Sequence, residues 1–112
     1  MKVLVIEPVK VPVVKEIVSS LESMQAVVGG YIQALCPFEE PVALVCNEEG
    51  KLLGLPLNRA LRDEDGNVYD IVSGTFFLCS APHDLERFCS LSQKQIEHFT
   101  EKFRYPELFL LK

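Results

Sequence analysis

Tryptophan is missing from the 112-residue chain, and its 11 Lys and Arg are outnumbered by 16 Asp and Glu. The resulting net charge of −5 argues against direct nucleic-acid binding, because phosphate contacts need a surplus of basic side chains. Four cysteines are present (Cys36, Cys46, Cys79, Cys89), yet none form a Cys-x-x-Cys pair, which excludes the usual zinc-finger and redox spacings. Cys79-x-x-x-His83, with Cys89 and His98 beyond, offers metal donors at no recognised spacing, so neither a metal nor a cofactor is expected. Long hydrophobic runs are also lacking. Val3–Ile6 is cut by Glu7-Pro8, and the longest uncharged stretch, Ser23 to Phe38, is too short and too interrupted to span a bilayer. With no targeting segment in view, the expectation is a cytoplasmic protein that makes no membrane contact.

What is present is an ordinary folding composition, 48% hydrophobic, in a length that suits one domain over residues 1–112. The negative charge is localised. Residues 39–70 hold eight acids against Lys51, Arg59 and Arg62, and the segments on either side are neutral. These acids cluster beside turn signals, as Glu39-Glu40-Pro41, Glu48-Glu49-Gly50 and Asp63-Glu64-Asp65-Gly66. Exposed turns tolerate charge, which is one explanation. The other is an acidic partner surface, with Glu48, Glu49, Asp63, Glu64 and Asp65 on one rim of a sheet.

The hydrophobic pattern predicts more strand than helix. Residues 2–7 and Val11–Val18 read as two extended segments separated by a turn bracketed by Pro8 and Pro12. Ser19 and Glu22 form a capping-box signal for a first helix, which Gly29-Gly30 ends. Tyr31–Cys36 and Val42–Asn47 read as strands, the second apolar on both faces and therefore central. Glu48-Glu49-Gly50 then predicts a tight hairpin into Lys51–Leu55, completing an antiparallel meander. For Pro56–Arg62 a strand would set Arg59 between buried Leu57 and Leu61, so a helical turn is expected instead. Val68–Val72 and Phe76–Cys79 read as strands, with Gly74 at a bulge or close approach. Ser92 and Gln95 form the clearest capping box, with Leu91 and Ile96 as a hydrophobic staple. The class is α+β: a mainly antiparallel sheet of hairpins with two helices packed on it.

No catalytic motif emerges, and a non-enzymatic role is favoured. The best polar constellation is Asn58, Arg59 and Arg62, with Asp63 and Asp70 near in sequence. Two guanidiniums could grip a carboxylate or phosphate bidentately, or could pair with the surrounding acids. Thr75 and Asn47 could add hydrogen bonds to such a site or satisfy local backbone groups. Gly29-Gly30 follows a helix, the wrong order for phosphate binding, and Asp63-x-Asp65-x-Asn67 lacks the later ligands of a calcium loop.

Five blocks of the chain carry a family likeness: Met1–Pro8, Met24-Gln25 leading to Val28–Ile32, Val42–Leu52, Gly54–Asp63 and Tyr69–Phe77. Through them it resembles a small bacterial and phage family catalogued as domain of unknown function 3846. Residues 1–80 match in order, and Ala81 to Lys112 more loosely. The resemblance implies an accessory protein in a phage or mobile-element setting and carries no activity or catalytic residue with it. The leading expectation is therefore a small accessory protein that binds an unidentified protein partner. A binder of a small anionic, nucleotide-like ligand through Asn58, Arg59, Arg62 and Thr75 is the alternative. A third is a homo-oligomer formed through an exposed strand edge. The apolar Leu108-Phe109-Leu110-Leu111 is then either a last strand on the sheet or a subunit contact.

Overall fold

The computed structural model describes residues 1–82 and 87–109. The strands are β1 (Lys2–Ile6), β2 (Val13–Glu16), β3 (Ile32–Leu35), β4 (Val42–Asn47), β5 (Leu57–Arg62), β6 (Val68–Ser73) and β7 (Phe76–Ser80), and the helices are α1 (Leu21–Val28) and α2 (Gln93–Lys102). Five strands form one antiparallel sheet in the order β2-β1-β7-β4-β3, while β5 and β6 form a separate hairpin. The fold is α+β.

Period-two alternation on the inner strands divides the core between the two faces of the sheet. Val3, Val5, Ala43, Val45, Phe77 and Cys79 point to one face with Val28 of α1. Leu4, Ile6, Val42, Leu44, Cys46, Phe76 and Leu78 point to the other, against Leu61 and Val72 of the hairpin and Ile96, Phe99 and Phe103 of the α2 region. The layers are therefore α1, the five-stranded sheet, and a third layer shared by the hairpin and α2. β4 is buried at every position, as its two-sided apolar sequence requires.

Both helix ends follow from their caps. The Ser92–Gln95 capping box is complete, and Leu91 and Ile96 are both buried in the core beneath it. Gly29 ends α1 in the left-handed conformation, φ 78°. The cap of α1 is Ser20, whose hydroxyl accepts from the Ser23 N–H, so the expected Ser19–Glu22 box lies one residue off.

The largest departures from expectation lie after β4. Lys51–Leu55 is a run of turns rather than a strand, closed by Leu53 N–H to Glu49 O and Leu55 N–H to Gly50 O. Gly50 is buried where a Cβ would meet the Ser73 carbonyl oxygen at 2.7 Å, so only glycine allows this turn to pack its backbone against the end of β6. β4 accordingly pairs with β3 and β7, and the three-strand meander does not form. Pro56–Arg62 is not a helical turn, since residues 57–62 form β5, with a bulge between Leu57 and Arg59. Gly74, φ 83°, makes the tight connection between β6 and β7 and lies against Leu55. β2 is shorter than the predicted Val11–Val18, and β3 shorter than Tyr31–Cys36. Cys46 and Cys79 are buried in β4 and β7, and Cys36 is exposed. His83-Asp84 and Leu110-Leu111 lie outside the described residues. Leu108, which begins the apolar C-terminal run, is 85% exposed and in no strand.

The cap assignment is checked by equilibrium unfolding. Ser20→Ala should cost about 1 kcal/mol, the usual loss for an N-cap, whereas Ser19→Ala should stay within about 0.5 kcal/mol.

Candidate acidic groove beside the β5 edge

Asn58 and Arg59 occupy the bulged start of β5 and are 0% and 1% exposed. The Asn58 Nδ2 donates to Ile6 O (2.8 Å) and Gly74 O (2.9 Å), tying the hairpin to the end of β1 and the β6–β7 connection. Its Oδ1 accepts from Arg59 Nη1 at 2.8 Å. Arg59 Nε and Nη2 donate to Phe103 O at 3.2 and 3.0 Å, and Nη2 also donates to Lys10 O at 2.6 Å. Every face of the guanidinium is thus engaged by backbone carbonyls or by Asn58. Phe103 is the C-terminal cap of α2, where unpaired carbonyls and the helix dipole both favour a cation. Burial pulls the Arg59 pKa down, and the charge of Glu107 partly offsets this. Asn58 and Arg59 are therefore structural, with no donor turned to a ligand.

Arg62, at the exposed end of β5, points elsewhere. Its Nη2 lies 2.5 Å from Glu107 Oε1, and Glu107 Oε2 accepts from the Ala60 N–H at 2.9 Å. Burial pushes the Glu107 carboxyl up, but the bonds from Arg62 and the Ala60 N–H outweigh it and hold the carboxyl low. The pairing of Arg62 comes from outside residues 39–70, contrary to the expectation that the acidic segment would supply it. Beside this pair is a cavity of about 370 Å³, with β5 on one side and Phe38, Lys102, Phe103 and Tyr105 on the other. Lys102 Nζ stands 5.8 Å from the centre of the Phe38 ring.

The cavity opens into a wider groove of about 740 Å³, and Arg62, Tyr69 and Lys102 line both. One wall of the groove is Glu39-Glu40, on the β3–β4 turn, and the other is Asp63-Glu64-Asp65, on the β5–β6 turn. Asp63 Oδ1 accepts from the Asp65 and Asn67 N–H groups, which shapes its own turn. Glu40 lies 3.7 Å from His98 Nε2 on α2.

The predicted site residues are only partly brought together. Asp63, Glu64 and Asp65 line the groove with Arg62. Glu48 and Glu49 sit at the opposite end of β4 from Glu39-Glu40, roughly 17 Å away along a six-residue strand. The acidic turns do not form one rim. Glu48 instead flanks a small cavity with Lys51 and Asp70, which are ion-paired at 2.5 Å. The bond from Lys51 helps to hold the Asp70 carboxyl low, against the effect of burial. Thr75 lines a separate groove with Lys15 and Val27 on the α1 face of the sheet, so it shares no site with Arg62. Asn47 is buried and structural, donating to Val28 O and accepting from the Glu49 N–H. Glu107, Tyr69, Tyr105 and Lys102 were not among the predicted site residues. Tyr69 carried a signal, as an aromatic residue in an otherwise polar stretch, but Glu107 lies 45 residues from Arg62 with no local pattern to mark it.

Burial raises the Cys46 thiol and pushes that of Cys79 up to about 12. Among the described residues, no group of three or more His, Cys, Asp or Glu could hold a metal ion, and no helix is long and apolar enough to cross a membrane.

The family model described as a domain of unknown function, DUF3846, matches residues 1–104. The chain belongs to that family. No curated protein and no solved structure matches it.

The two arginines separate in a denaturation experiment. Arg59→Met should cost about 3–5 kcal/mol, because it leaves buried carbonyls without donors, while Arg62→Ala should cost about 1 kcal/mol or less. Glu107 has its folded pKa held below the ordinary 4.5, so its contribution is present above that value and is lost as pH falls through the folded value. Stability measured across this acid range should therefore fall more steeply for the natural chain than for Glu107→Gln.

Proposed function

We propose that this chain is a non-enzymatic accessory protein that binds another protein, and that the acidic groove takes a positively charged segment of that partner. The observation that carries this reading is the convergence of Glu39-Glu40 and Asp63-Glu64-Asp65, from turns far apart in sequence, on the two walls of one groove. Glu39, Glu64 and Asp65 have no ion-pair partner among the described residues, which leaves their charge available to an incoming cation. Carboxylates gathered on one groove steer such a partner and set its register. Tyr69, 57% exposed, and Tyr105, 72% exposed, supply aromatic surface along the groove and its adjoining cavity. A cytoplasmic, phage or mobile-element setting is consistent with the family membership and forms part of the proposal.

The anionic-ligand reading has less support. Arg59 and Asn58 are fully engaged, Thr75 lies on the other face of the sheet, and an anion at Arg62 would have to displace Glu107.

A lysine-rich peptide titrated into ¹⁵N-labelled protein should shift the amides of residues 39–40, 63–65 and 69 and leave residues 48–49 unmoved. The combined Glu39→Gln, Glu40→Gln, Glu64→Gln, Asp65→Asn variant should bind at least about tenfold more weakly, equivalent to about 1.4 kcal/mol. Added salt should weaken the natural complex. Equal shifts at residues 48–49, or undiminished binding by the variant, would contradict the proposal.

A further inference from the structure

The opposite edge of the molecule carries a different unfilled surface. β2 is an edge strand of the five-stranded sheet, and all four of its residues are exposed. Val9, Val11, Val13, Val14 and Val18 are each 44–70% exposed, which concentrates apolar surface in one ten-residue segment. The hydrogen bonding defines which way the backbone of β2 faces. Met1 and Ile17 exchange both bonds, Met1 N to Ile17 O at 2.6 Å and Ile17 N to Met1 O at 2.9 Å. Counting in steps of two, Lys15 and Val13 bond toward β1, and Val14 and Glu16 turn their N–H and C=O groups outward. Pro12 has the outward parity and no N–H, so the edge can accept a strand only over a short length.

We infer that this edge is a homodimer interface, in which β2 of a second copy pairs antiparallel with β2 about a two-fold axis through Val14. The alternative axes are each worse. An axis at Lys15 or Glu16 stacks that charge on its own copy, and an axis at Val13 puts Pro12, without a donor, in both of the central bonded pairs, whereas the Val14 axis moves it to the outer pairs. The Val14 axis pairs valine with valine, lets each Glu16 N–H reach the Pro12 carbonyl across the interface, and sets Lys15 opposite Val13 of the other copy. Val13 and Lys15 share the face whose open groove, about 500 Å³, contains Glu7 and Ile17. Lys15 of each copy thus approaches the side of the groove where the other holds Glu7, a carboxylate that its own Lys10 pairs at 3.1 Å and that stays partly exposed to a second cation, and the symmetry makes this contact twice. A second copy fits better than an unrelated strand because every one of these pairs is reciprocal. The contact is isologous, so it closes at two subunits and joins the sheets without leaving β2 open.

Sedimentation equilibrium of the full chain at sub-millimolar concentration should give twice the 12.6 kDa chain mass, and Val14→Lys should return it to the chain mass with an unchanged circular dichroism spectrum. In a Cys36→Ser background, Val14→Cys should cross-link on oxidation, and Lys15→Cys and Glu16→Cys should not. A monomeric natural chain would overturn the inference. So would a dimer that survives Val14→Lys, or one that cross-links through Lys15→Cys instead.

Discussion

A buried guanidinium holds the third layer of this molecule together. Arg59 is almost fully enclosed, and its donors reach the end of α2 at Phe103, the β1–β2 connection at Lys10 and the neighbouring Asn58. Asn58 extends the network to Ile6 and Gly74. One adjacent pair of side chains therefore joins β1, β5, the β6–β7 connection and the helix terminus. Burying a charge is costly unless hydrogen bonds replace its hydration, and here the replacement acceptors include the Phe103 and Lys10 carbonyls, which have no other donor among the described residues. The helix end and the cation each satisfy a need of the other.

The position of the groove follows from that anchoring. With Arg59 fixed under α2, β5 is held against the sheet, and its outer end brings the β5–β6 turn beside the β3–β4 turn. Asp63-Glu64-Asp65 and Glu39-Glu40 then line one open groove. Arg62 and Lys102 stand at the inner end, with Glu107 balancing Arg62. Five carboxylates and two cations line the groove, and this excess of negative charge underlies the proposed choice of a basic partner.

Much of the architecture was legible in the sequence because it is written in local pattern. The two-sided apolar run of β4, the capping box at Ser92 and the glycine cap at Gly29 each state their structure within a few residues. The failures came where distant atoms decide. Pro56–Arg62 was read as helical to avoid burying Arg59, since no local rule shows that Phe103 and Lys10 bring carbonyls to meet it. The Glu48-Glu49-Gly50 turn signal points to a hairpin into Lys51–Leu55, but Gly50 packs its backbone against Ser73 at the end of β6, a contact distant in sequence. For the candidate site, sequence clustering identified the acidic turns without revealing which of them meet. Glu39-Glu40 and Asp63–Asp65 share a groove, whereas Glu48-Glu49 are separated from it by the length of β4. Thr75, a lone hydroxyl among apolar residues, reads as a possible donor to the arginines, although alternation places its side chain on the far face, in the groove with Lys15 and Val27.

The role of Arg59 can be observed directly through the exchange of its guanidinium protons. In ¹⁵N-resolved NMR the Arg59 Nε–H should exchange with solvent far more slowly than that of Arg62, and titration with lysine-rich peptide or inorganic phosphate should leave it unchanged. An Arg59 proton that exchanges as fast as that of Arg62, or that shifts when phosphate is added, would contradict a buried structural role and return Arg59 to the set of ligand-binding groups.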